Sequence, residues 1–426
     1  MIGSIAQNVI SVTDTAFLGR LGDVALGGGA IGGIFYLVII MLGLGVGIGS
    51  QIIVARRFGE GAHKQIGGII QHTQIFLFFL AVVLVVFFEL FGKAILHYCV
   101  QSNGIFNTSY DFLKYRIWGL FFAFTYYSYR AFYFGIGKTK VITYTTFTMV
   151  IANVFFGYSL VFGHFGFPKM GVSGAGLASV IAEFFGTSAF IVYTLLNKKI
   201  KEYQIFHFNK FDPKIMARIL HVSFPLMLQN FFSFLIWFLF FLIIEKMGEV
   251  QLAVSNIVRS IYVVLLIPIM GFSTAANTLV SNIIGQGRSN EVLSLTSRIA
   301  IVAGGFSAVL SFICLLFPDL ILHVYTNDIQ IISMAYPLMY IITIASILLA
   351  IGLVLFNCVS GTGKTNISLF LELGIQTVYI LVTFIFAIVL KQTLTVVWTI
   401  EIIYGFLLIT ISFIYLRSNH WVGKVI

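Results

Sequence analysis

The chain has 426 residues, of which 59% are hydrophobic and only 9% are charged, and its mean hydropathy is +1.02. A soluble domain cannot bury so much apolar surface, so this composition predicts a protein embedded in a lipid bilayer. The formal net charge is +10. Because the basic residues cluster in the loops of one side, this charge is explained without a nucleic-acid partner.

The hydrophobic runs predict about twelve transmembrane helices, because each run approaches the ~20 residues that span a bilayer. In chain order the runs cover 1–19, 27–55, 68–92, 111–135, 141–163, 172–196, 217–244, 251–283, 295–318, 331–357, 367–390 and 393–416. The expected fold is therefore an all-α polytopic membrane protein with six helices in each half.

The two halves of the chain match each other at one offset. Gly22 falls on Gly248, an offset of 226 residues, and the register holds without a gap to residues 135–139, which fall on 361–365. Two halves with six spans each have the same topology, so we expect two six-helix bundles related by a pseudo-two-fold axis along the membrane normal. The predicted division is an N-lobe at 1–196, a cytoplasmic linker at 197–216 and a C-lobe at 217–426.

The start of the first helix departs from the repeat. Met1 pairs with Met227, yet the second half has His221-Val222-Ser223-Phe224-Pro225 ahead of that point. We therefore expect a first helix that is truncated at its N-terminal end.

Basic residues in the predicted loops indicate the orientation. With the N-terminus inside, the inner side carries sixteen of them: Arg56, Arg57, Lys64, Lys138, Lys140, Lys198, Lys199, Lys201, Lys210, Lys214, Arg218, Arg288, Arg298, Lys364, Arg417 and Lys424. The outer side, even when Lys114 and Arg116 are granted to it, carries only seven: Arg20, Lys93, Lys114, Arg116, Lys169, Lys246 and Lys391. We expect both termini to be cytoplasmic, in a bacterial cytoplasmic (inner) membrane.

Ionisable residues within the predicted spans are candidates for function, because a charge there costs at least about 2.5–3.5 kcal/mol near the centre. The candidates are Asp14, Glu183, Arg259, Glu372 and Glu401. Asp14, the lone aspartate inside a span, either pairs structurally or titrates with a coupling ion. Glu183 lies one turn after Ser179, so both side chains share a helix face, where Glu183 either couples or pairs structurally. Glu372 and Glu401 lie near span ends and are expected to reach polar surroundings.

One segment resembles a nucleotide-binding loop but lacks its spacing. Gly361-Thr362-Gly363-Lys364-Thr365 matches the end of a P-loop, yet the glycine that such a loop needs earlier is Cys358 here. A basic turn between two helices is the better interpretation, and no cofactor is expected. The three cysteines have no metal-ligand spacing and are interpreted as packing residues.

Four segments, taken in order, carry recognisable patterns. In the first, Asp14 precedes Phe17-Leu18-Gly19-Arg20-Leu21-Gly22, and the second is a basic turn at 135–140. The third begins with Asn153 and covers 153–163, and the fourth is rich in glycine and alanine and covers 171–179. With the repeat, these segments resemble the multidrug and toxic compound extrusion family, and in particular its DinF-like branch. The resemblance covers essentially the whole chain, and it implies efflux of drugs or toxic solutes driven by re-entry of H⁺ or Na⁺.

The resemblance also implies an ion site in the N-lobe. It transfers to Asp14, Asn153 and Ser179, with Ala175 alongside. The family's second carboxylate is Gly157 here, and an acidic residue that some members carry in the seventh helix would fall near Ser233. Glu183 is expected to assist the coupling site. A single carboxylate serves a proton more easily than a hard cation, so H⁺ is favoured as the coupling ion, while Na⁺ at Asp14, Asn153 and Ser179 remains open.

The expected substrate path is the cleft between the two halves, near the midplane. Gln229, Asn230, Asn256 and Arg259 are the candidate substrate-binding side chains there, with interhelical bonding as the alternative for the amides. The expected substrates are amphipathic and often cationic small molecules, which bind well over aromatic faces. The chain is expected to be a monomer in the bilayer.

Three other classes of protein were weighed. A flippase for lipids or lipid-linked oligosaccharides, of a related fold, would show a more basic central cavity. An intramembrane enzyme would need a His/Asp or Ser/His constellation at one depth, and none is evident. A major-facilitator transporter also has six plus six helices, but its basic loop has an Asp-Arg core, unlike Ala55-Arg56-Arg57-Phe58-Gly59. We therefore expect a secondary active antiporter that works by alternating access and not an enzyme.

Overall fold

The computed structural model describes the backbone of residues 2–207 and 210–423, and the side chains of 10, 12–207 and 210–423. Met1 and Lys424, which entered the sequence argument, lie outside the described residues. Fifteen α-helices run through the described chain: α1 (Ile2–Gly19), α2 (Asp23–Gly59), α3 (His63–Cys99), α4 (Asn103–Arg116), α5 (Leu120–Gly135), α6 (Thr139–Phe162), α7 (Val172–Leu196), α8 (Pro213–Glu245), α9 (Glu249–Gly285), α10 (Val292–Leu316), α11 (Pro318–His323), α12 (Ile329–Gly361), α13 (Thr365–Phe384), α14 (Leu394–Trp398) and α15 (Ile400–Arg417).

Each predicted hydrophobic run lies in one helix or in two consecutive ones. Ten helical segments of the described chain are long and apolar enough, by length and composition, to cross a membrane. The other two predicted runs correspond to α1, with 18 residues, and to the pair α4 and α5. The prediction of an all-helical membrane protein is confirmed.

The chain divides into two compact units. The N-terminal unit holds residues 2–227 and the C-terminal unit holds residues 228–423. The division falls inside α8, downstream of the linker predicted at 197–216. In the C-terminal unit α12 packs against α9, α10 and α15, because it is apolar on every side and can be surrounded by other helices.

Turn glycines repeat between the two units. Three turns in each half contain a glycine with positive φ, and the pairs keep the offset of 226 residues: Gly22 and Gly248, Gly61 and Gly287, Gly137 and Gly363. An L side chain rarely adopts this conformation, so the same turn chemistry was kept in both halves. Gly363 belongs to the turn between α12 and α13, so the phosphate-loop-like segment connects two helices.

The fourth predicted span, 111–135, is not one continuous helix. It begins earlier, at Asn103, and a short 3₁₀ segment, Ile117–Gly119, separates α4 from α5. A 3₁₀ stretch inside a helix often marks strain or a functional position. Here it places Arg116 at the end of α4, inside the N-terminal unit.

A buried histidine fixes the segment that precedes α8. The Asp212 backbone N–H donates to His72 Nε2 at 2.8 Å, so the other ring nitrogen, Nδ1, carries the hydrogen and donates to the Gly68 carbonyl at 2.7 Å. The ring also stacks on Phe211, with ring centroids 5.2 Å apart. Because His72 is fully buried on α3, it holds this segment against the helix.

Replacing His72 by Phe should loosen this segment, because a phenyl ring keeps the stacking but cannot accept the Asp212 N–H. Loss of one such hydrogen bond costs about 1 kcal/mol, which corresponds to a roughly fivefold larger open population. We expect trypsin to cleave after Lys210 or Lys214 about fivefold faster in the purified variant. His207→Phe, on the exposed part of the same segment, is the control. Equal cleavage rates in the two variants would contradict the clamp.

Candidate functional site

The four residues predicted to couple an ion line one cavity in the N-terminal unit. The cavity has a volume of about 270 Å³, and Asp14, Asn153, Ser179 and Glu183 are all part of its wall. They come from α1, α6 and α7, three helices that pack against one another. The proximity expected from the sequence is therefore present, while the coupling role stays a prediction.

Asp14, Ser179 and Asn153 form a short hydrogen-bonded chain. The Ser179 hydroxyl donates to Asp14 Oδ2 at 3.1 Å, and the Asn153 Nδ2 amide donates to Ser179 Oγ at 3.4 Å. Asn153 is fully buried and Ser179 is 5% exposed. Ala175, expected alongside, is buried one turn before Ser179. The three polar side chains thus form one network across three helices.

Two oxygen atoms of this network remain without a partner. Asp14 Oδ1 and Asn153 Oδ1 are buried, and neither accepts a hydrogen bond from any residue in the described part of the chain. An unsatisfied buried oxygen costs roughly 1–3 kcal/mol, and more when the group is charged. A proton or a small cation would supply the missing partner of such an oxygen.

Glu183 forms an ion pair that the sequence argument missed. Arg116 Nη1 donates to Glu183 Oε2 at 2.7 Å and Nη2 donates to Oε1 at 2.6 Å, a bidentate pair. The guanidinium lies 3.7 Å from the centroid of the Tyr36 ring, and the Tyr36 hydroxyl donates to Glu183 Oε1 at 3.4 Å. All three side chains line the cavity.

Arg116 was granted to the outer side in the count of basic residues, but the structure places it inside the N-terminal unit. Its side chain is only 12% exposed, because α4 begins before the predicted span and carries Arg116 into the N-terminal unit. A signal was available: Arg116 falls within the predicted run 111–135, where a cation needs a partner.

Two glycines shape the surroundings of the pair. A Cβ on Gly119 would lie 2.5 Å from Glu183 Oε2 and 2.7 Å from Arg116 Nη1, so only glycine admits the pair at this distance. Gly157 stands where the resemblance places a second carboxylate, and a Cβ there would lie 2.9 Å from the Phe17 ring. The space of the missing carboxylate is thus occupied by an aromatic side chain.

Glu372 lies in a polar network of the C-terminal unit. Its Oε1 accepts hydrogen bonds from Ser233 and, at 2.8 Å, from Gln376 Nε2, while Ser368 donates to Gln229 Oε1 at 3.0 Å on the same helix pair. Glu372 is only 6% exposed, and its Oε2 has no partner within the described chain. The polar surroundings expected for Glu372 are present, but they are buried side chains of α8 and α13 and not an exposed span end.

Glu401 is buried in a second arrangement. Tyr379 donates to Oε1 at 2.7 Å and Tyr262 donates to Oε2 at 3.0 Å, so both oxygens are satisfied by phenolic hydroxyls. Glu401 is 3% exposed, so the polar surroundings expected for it are also buried. Its polar surroundings are supplied by side chains and not by an exposed helix end.

The candidate substrate-binding residues make separate local contacts. Gln229 belongs to the Glu372 network, Asn256 donates to the Leu252 carbonyl at 3.0 Å, and the Arg259 guanidinium lies 5.0 Å from the centroid of the Phe241 ring. Asn230 is half-buried on α8. Gln229 thus makes the interhelical bond of the alternative interpretation, whereas Asn256 bonds within its own helix; a substrate role for the four remains a prediction.

The equivalent positions of the C-terminal unit hold aromatic side chains. Helices α6 and α13 begin at residues 139 and 365, so the offset of 226 still applies: Asp14 corresponds to Phe240 and Asn153 to Tyr379. Phe240 is fully buried, with its ring centroid 5.6 Å from Tyr379 and 5.4 Å from Trp398. Packed rings therefore occupy the region that holds polar groups in the N-terminal unit.

A methyl group on Gly119 should destabilise the protein, since it would collide with the Arg116–Glu183 pair. Such overpacking costs about 1–3 kcal/mol. We expect Gly119→Ala to lower the thermal unfolding midpoint in detergent by a few degrees. The control is Gly33→Ala in the same cavity wall, where a Cβ meets no atom within 4 Å. Equal losses in both variants would refute crowding at the pair as the cause.

Comparison with known proteins identifies the family. The MatE family model matches residues 1–159 and 225–385. The probable multidrug resistance protein NorM of Thermotoga maritima is 27% identical over 365 residues, 85% of this chain and 78% of that protein. The protein of the same name from Agrobacterium fabrum is 26% identical over 310 residues, 72% of this chain and 66% of the relative.

Solved structures show the same fold. A MATE protein in its straight conformation superposes with a TM-score of 0.90 at 19% identity, and a MOP superfamily transporter from Pyrococcus furiosus with 0.89 at 18%. Each alignment covers 98% of this chain and 93% of the other. The prediction of about twelve helices in two bundles is thereby confirmed. Because the family model matches most of the chain and extends into both repeats, the chain belongs to the MatE family, the multidrug and toxic compound extrusion transporters.

Proposed function

We propose that this protein is a multidrug efflux antiporter that exports amphipathic, often cationic organic solutes in exchange for H⁺. Support for efflux comes from the family and from relatives that carry the name multidrug resistance protein. The working membrane is the bacterial cytoplasmic membrane, with both termini inside and the protein acting as a monomer. The DinF-like branch remains the sequence-based prediction.

One observation supports Asp14 as the coupling group above all others. Its Oδ1 is buried without a partner in the described chain, although the residue lines a cavity of about 270 Å³. A proton bound there neutralises the carboxylate and gives it a hydrogen to donate. Neutralisation removes the cost of a charge held among lipid-embedded helices, so proton occupancy can bias the helices that form the wall.

The composition of the cavity favours H⁺ over Na⁺. Its second carboxylate, Glu183, has both oxygens engaged by Arg116. The oxygen ligands that remain for Na⁺ are those of Asp14, Asn153 Oδ1 and the Ser179 hydroxyl. This set is small, because a hard cation binds a full shell of oxygen ligands. Asp14 is thus the proposed proton carrier, with Asn153 and Ser179 orienting it.

Replacing Asp14 by Asn should abolish efflux driven by a pH gradient, because an amide cannot exchange a proton. The assay uses the purified protein in liposomes, with ethidium as the cationic substrate and with pH and Na⁺ gradients imposed separately. We expect efflux from the variant to fall to the level of protein-free liposomes. Asp111→Asn, which removes an exposed carboxylate, is the control and should transport normally.

The variant must also be inserted and folded, which gel filtration in detergent and the unfolding midpoint report. If folded Asp14→Asn still expels ethidium in response to the pH gradient, Asp14 is not the coupling group. If the unaltered protein responds to neither gradient, the proposal of ion-coupled efflux fails as a whole.

A further inference from the structure

The cavity around Asp14 contains a fixed positive charge. Its charged side chains are Asp14 on α1, Arg116 on α4 and Glu183 on α7. The other titratable groups in its wall are Tyr36 on α2 and Tyr126 and Tyr127 on α5, while α6 contributes the uncharged Asn153 and Met149. With Asp14 ionised the cavity therefore holds one net negative charge, and with Asp14 protonated it holds none.

Arg116 is held firmly in place. Both of its bonds to Glu183 are short, at 2.6 and 2.7 Å, and its guanidinium is stacked on Tyr36 at 3.7 Å from the ring centroid. Gly119 gives the pair the space it needs. Buried bidentate geometry of this kind is what an ion pair requires to offset the cost of desolvation. The charge is therefore a permanent part of the wall.

The repeat indicates that the charge is specific to the N-terminal unit. At the offset of 226 residues, Tyr36 has its counterpart in Tyr262, which also donates to a glutamate, Glu401. The counterpart of Arg116, however, is Ile342, which is fully buried. In that unit the glutamate is bound by a second hydroxyl, Tyr379, and not by a guanidinium. The arginine thus accompanies the cavity that contains Asp14.

We propose that Arg116 determines which ion the cavity accepts. Because it is paired with Glu183, the cavity has a single negative charge, which one proton neutralises. The same pairing prevents the Glu183 oxygens from binding Na⁺. This inference rests on the proposed coupling at Asp14 and adds the residue that makes the coupling selective. Arg116 acts through the field and through Glu183, so it is a positioning residue and not a carrier.

The net charge of the cavity predicts that the two single variants shift the titration of Asp14 in opposite directions. Arg116→Gln leaves two carboxylates without a cation, so Asp14 retains its proton to higher pH and Na⁺ becomes acceptable. Glu183→Gln leaves Arg116 facing Asp14, so Asp14 stays ionised to lower pH. One unit charge at close range moves such a titration by about 1–3 pH units. The double variant restores the original net charge.

The test measures ethidium efflux from liposomes as a function of pH, with and without a Na⁺ gradient. For Arg116→Gln we expect the pH of half-maximal efflux to rise by about 1–3 units and a Na⁺ gradient to begin driving transport. For Glu183→Gln we expect a fall of similar size and no response to Na⁺. For the double variant, Arg116→Gln with Glu183→Gln, which restores the net charge, we expect a pH of half-maximal efflux between those of the two single variants.

A variant that leaves the Arg116–Glu183 pair intact tests the proposal even if the single variants fail to fold. Gly33 lines the cavity, and a side chain there meets no atom within 4 Å at its Cβ. Gly33→Asp adds a negative charge and should shift the profile in the same direction as Arg116→Gln. Gly33→Asn is the uncharged control of similar size, and the difference between the two Gly33 variants reports the effect of the added charge.

The outcomes separate this inference from the proposed function. Suppose that efflux by the unaltered protein depends on the pH gradient. If Arg116→Gln and Glu183→Gln then shift the pH profile in the same direction, or not at all, the proposed role of Arg116 is overturned. Na⁺-driven efflux by the unaltered protein as strong as its pH-driven efflux overturns it too. If efflux by the unaltered protein responds to neither a pH gradient nor a Na⁺ gradient, the antiport proposal itself is contradicted.

Discussion

The buried ion pair between Arg116 and Glu183 is the interaction on which the N-terminal unit depends. It joins the end of α4 to α7, and stacking on Tyr36 adds α2. Removing one partner would leave an uncompensated buried charge, which typically costs 3–5 kcal/mol, so the helices around it are tightly constrained. The break of the fourth span at Ile117–Gly119 follows from the same constraint, because it ends α4 at Arg116 and places a glycine beside the pair.

The two units share a helical pattern but have diverged in their interiors. Turn glycines with positive φ and the Tyr36–Tyr262 correspondence were kept, because they fix turns and hold a glutamate in each unit. Asp14 has no polar counterpart, since Phe240 takes its place and packs against Tyr379 in the C-terminal unit. A polar cavity weakens packing, and a filled aromatic region strengthens it. The repeat thus combines one unit that carries an ionisable cavity with one whose equivalent region is filled.

The sequence predicted those features that local composition determines. Hydropathy located all twelve spans, and the turn glycines marked the repeat, because both depend on residues close together in the chain. The proximity of Asp14, Asn153 and Ser179 was available only through the resemblance. The partner of Glu183 was missed because Arg116 is 67 residues away in sequence. The burial of Glu372 and Glu401 was missed for a similar reason, because their hydroxyl donors Ser233 and Tyr262 are each 139 residues away in sequence.

The buried carboxyl groups differ in how many of their oxygens accept hydrogen bonds, and that difference bears on function. Glu401 has a hydroxyl on each oxygen, and Glu183 has a guanidinium across both. Asp14 and Glu372 each keep one buried oxygen that no residue of the described chain satisfies. In lipid-embedded protein such an oxygen is costly while the group is ionised, and protonation relieves both the charge and the missing bond. Asp14 also lines a cavity of about 270 Å³, which is large enough to hold water. Incomplete satisfaction combined with access is what a group needs in order to change protonation state during a transport cycle.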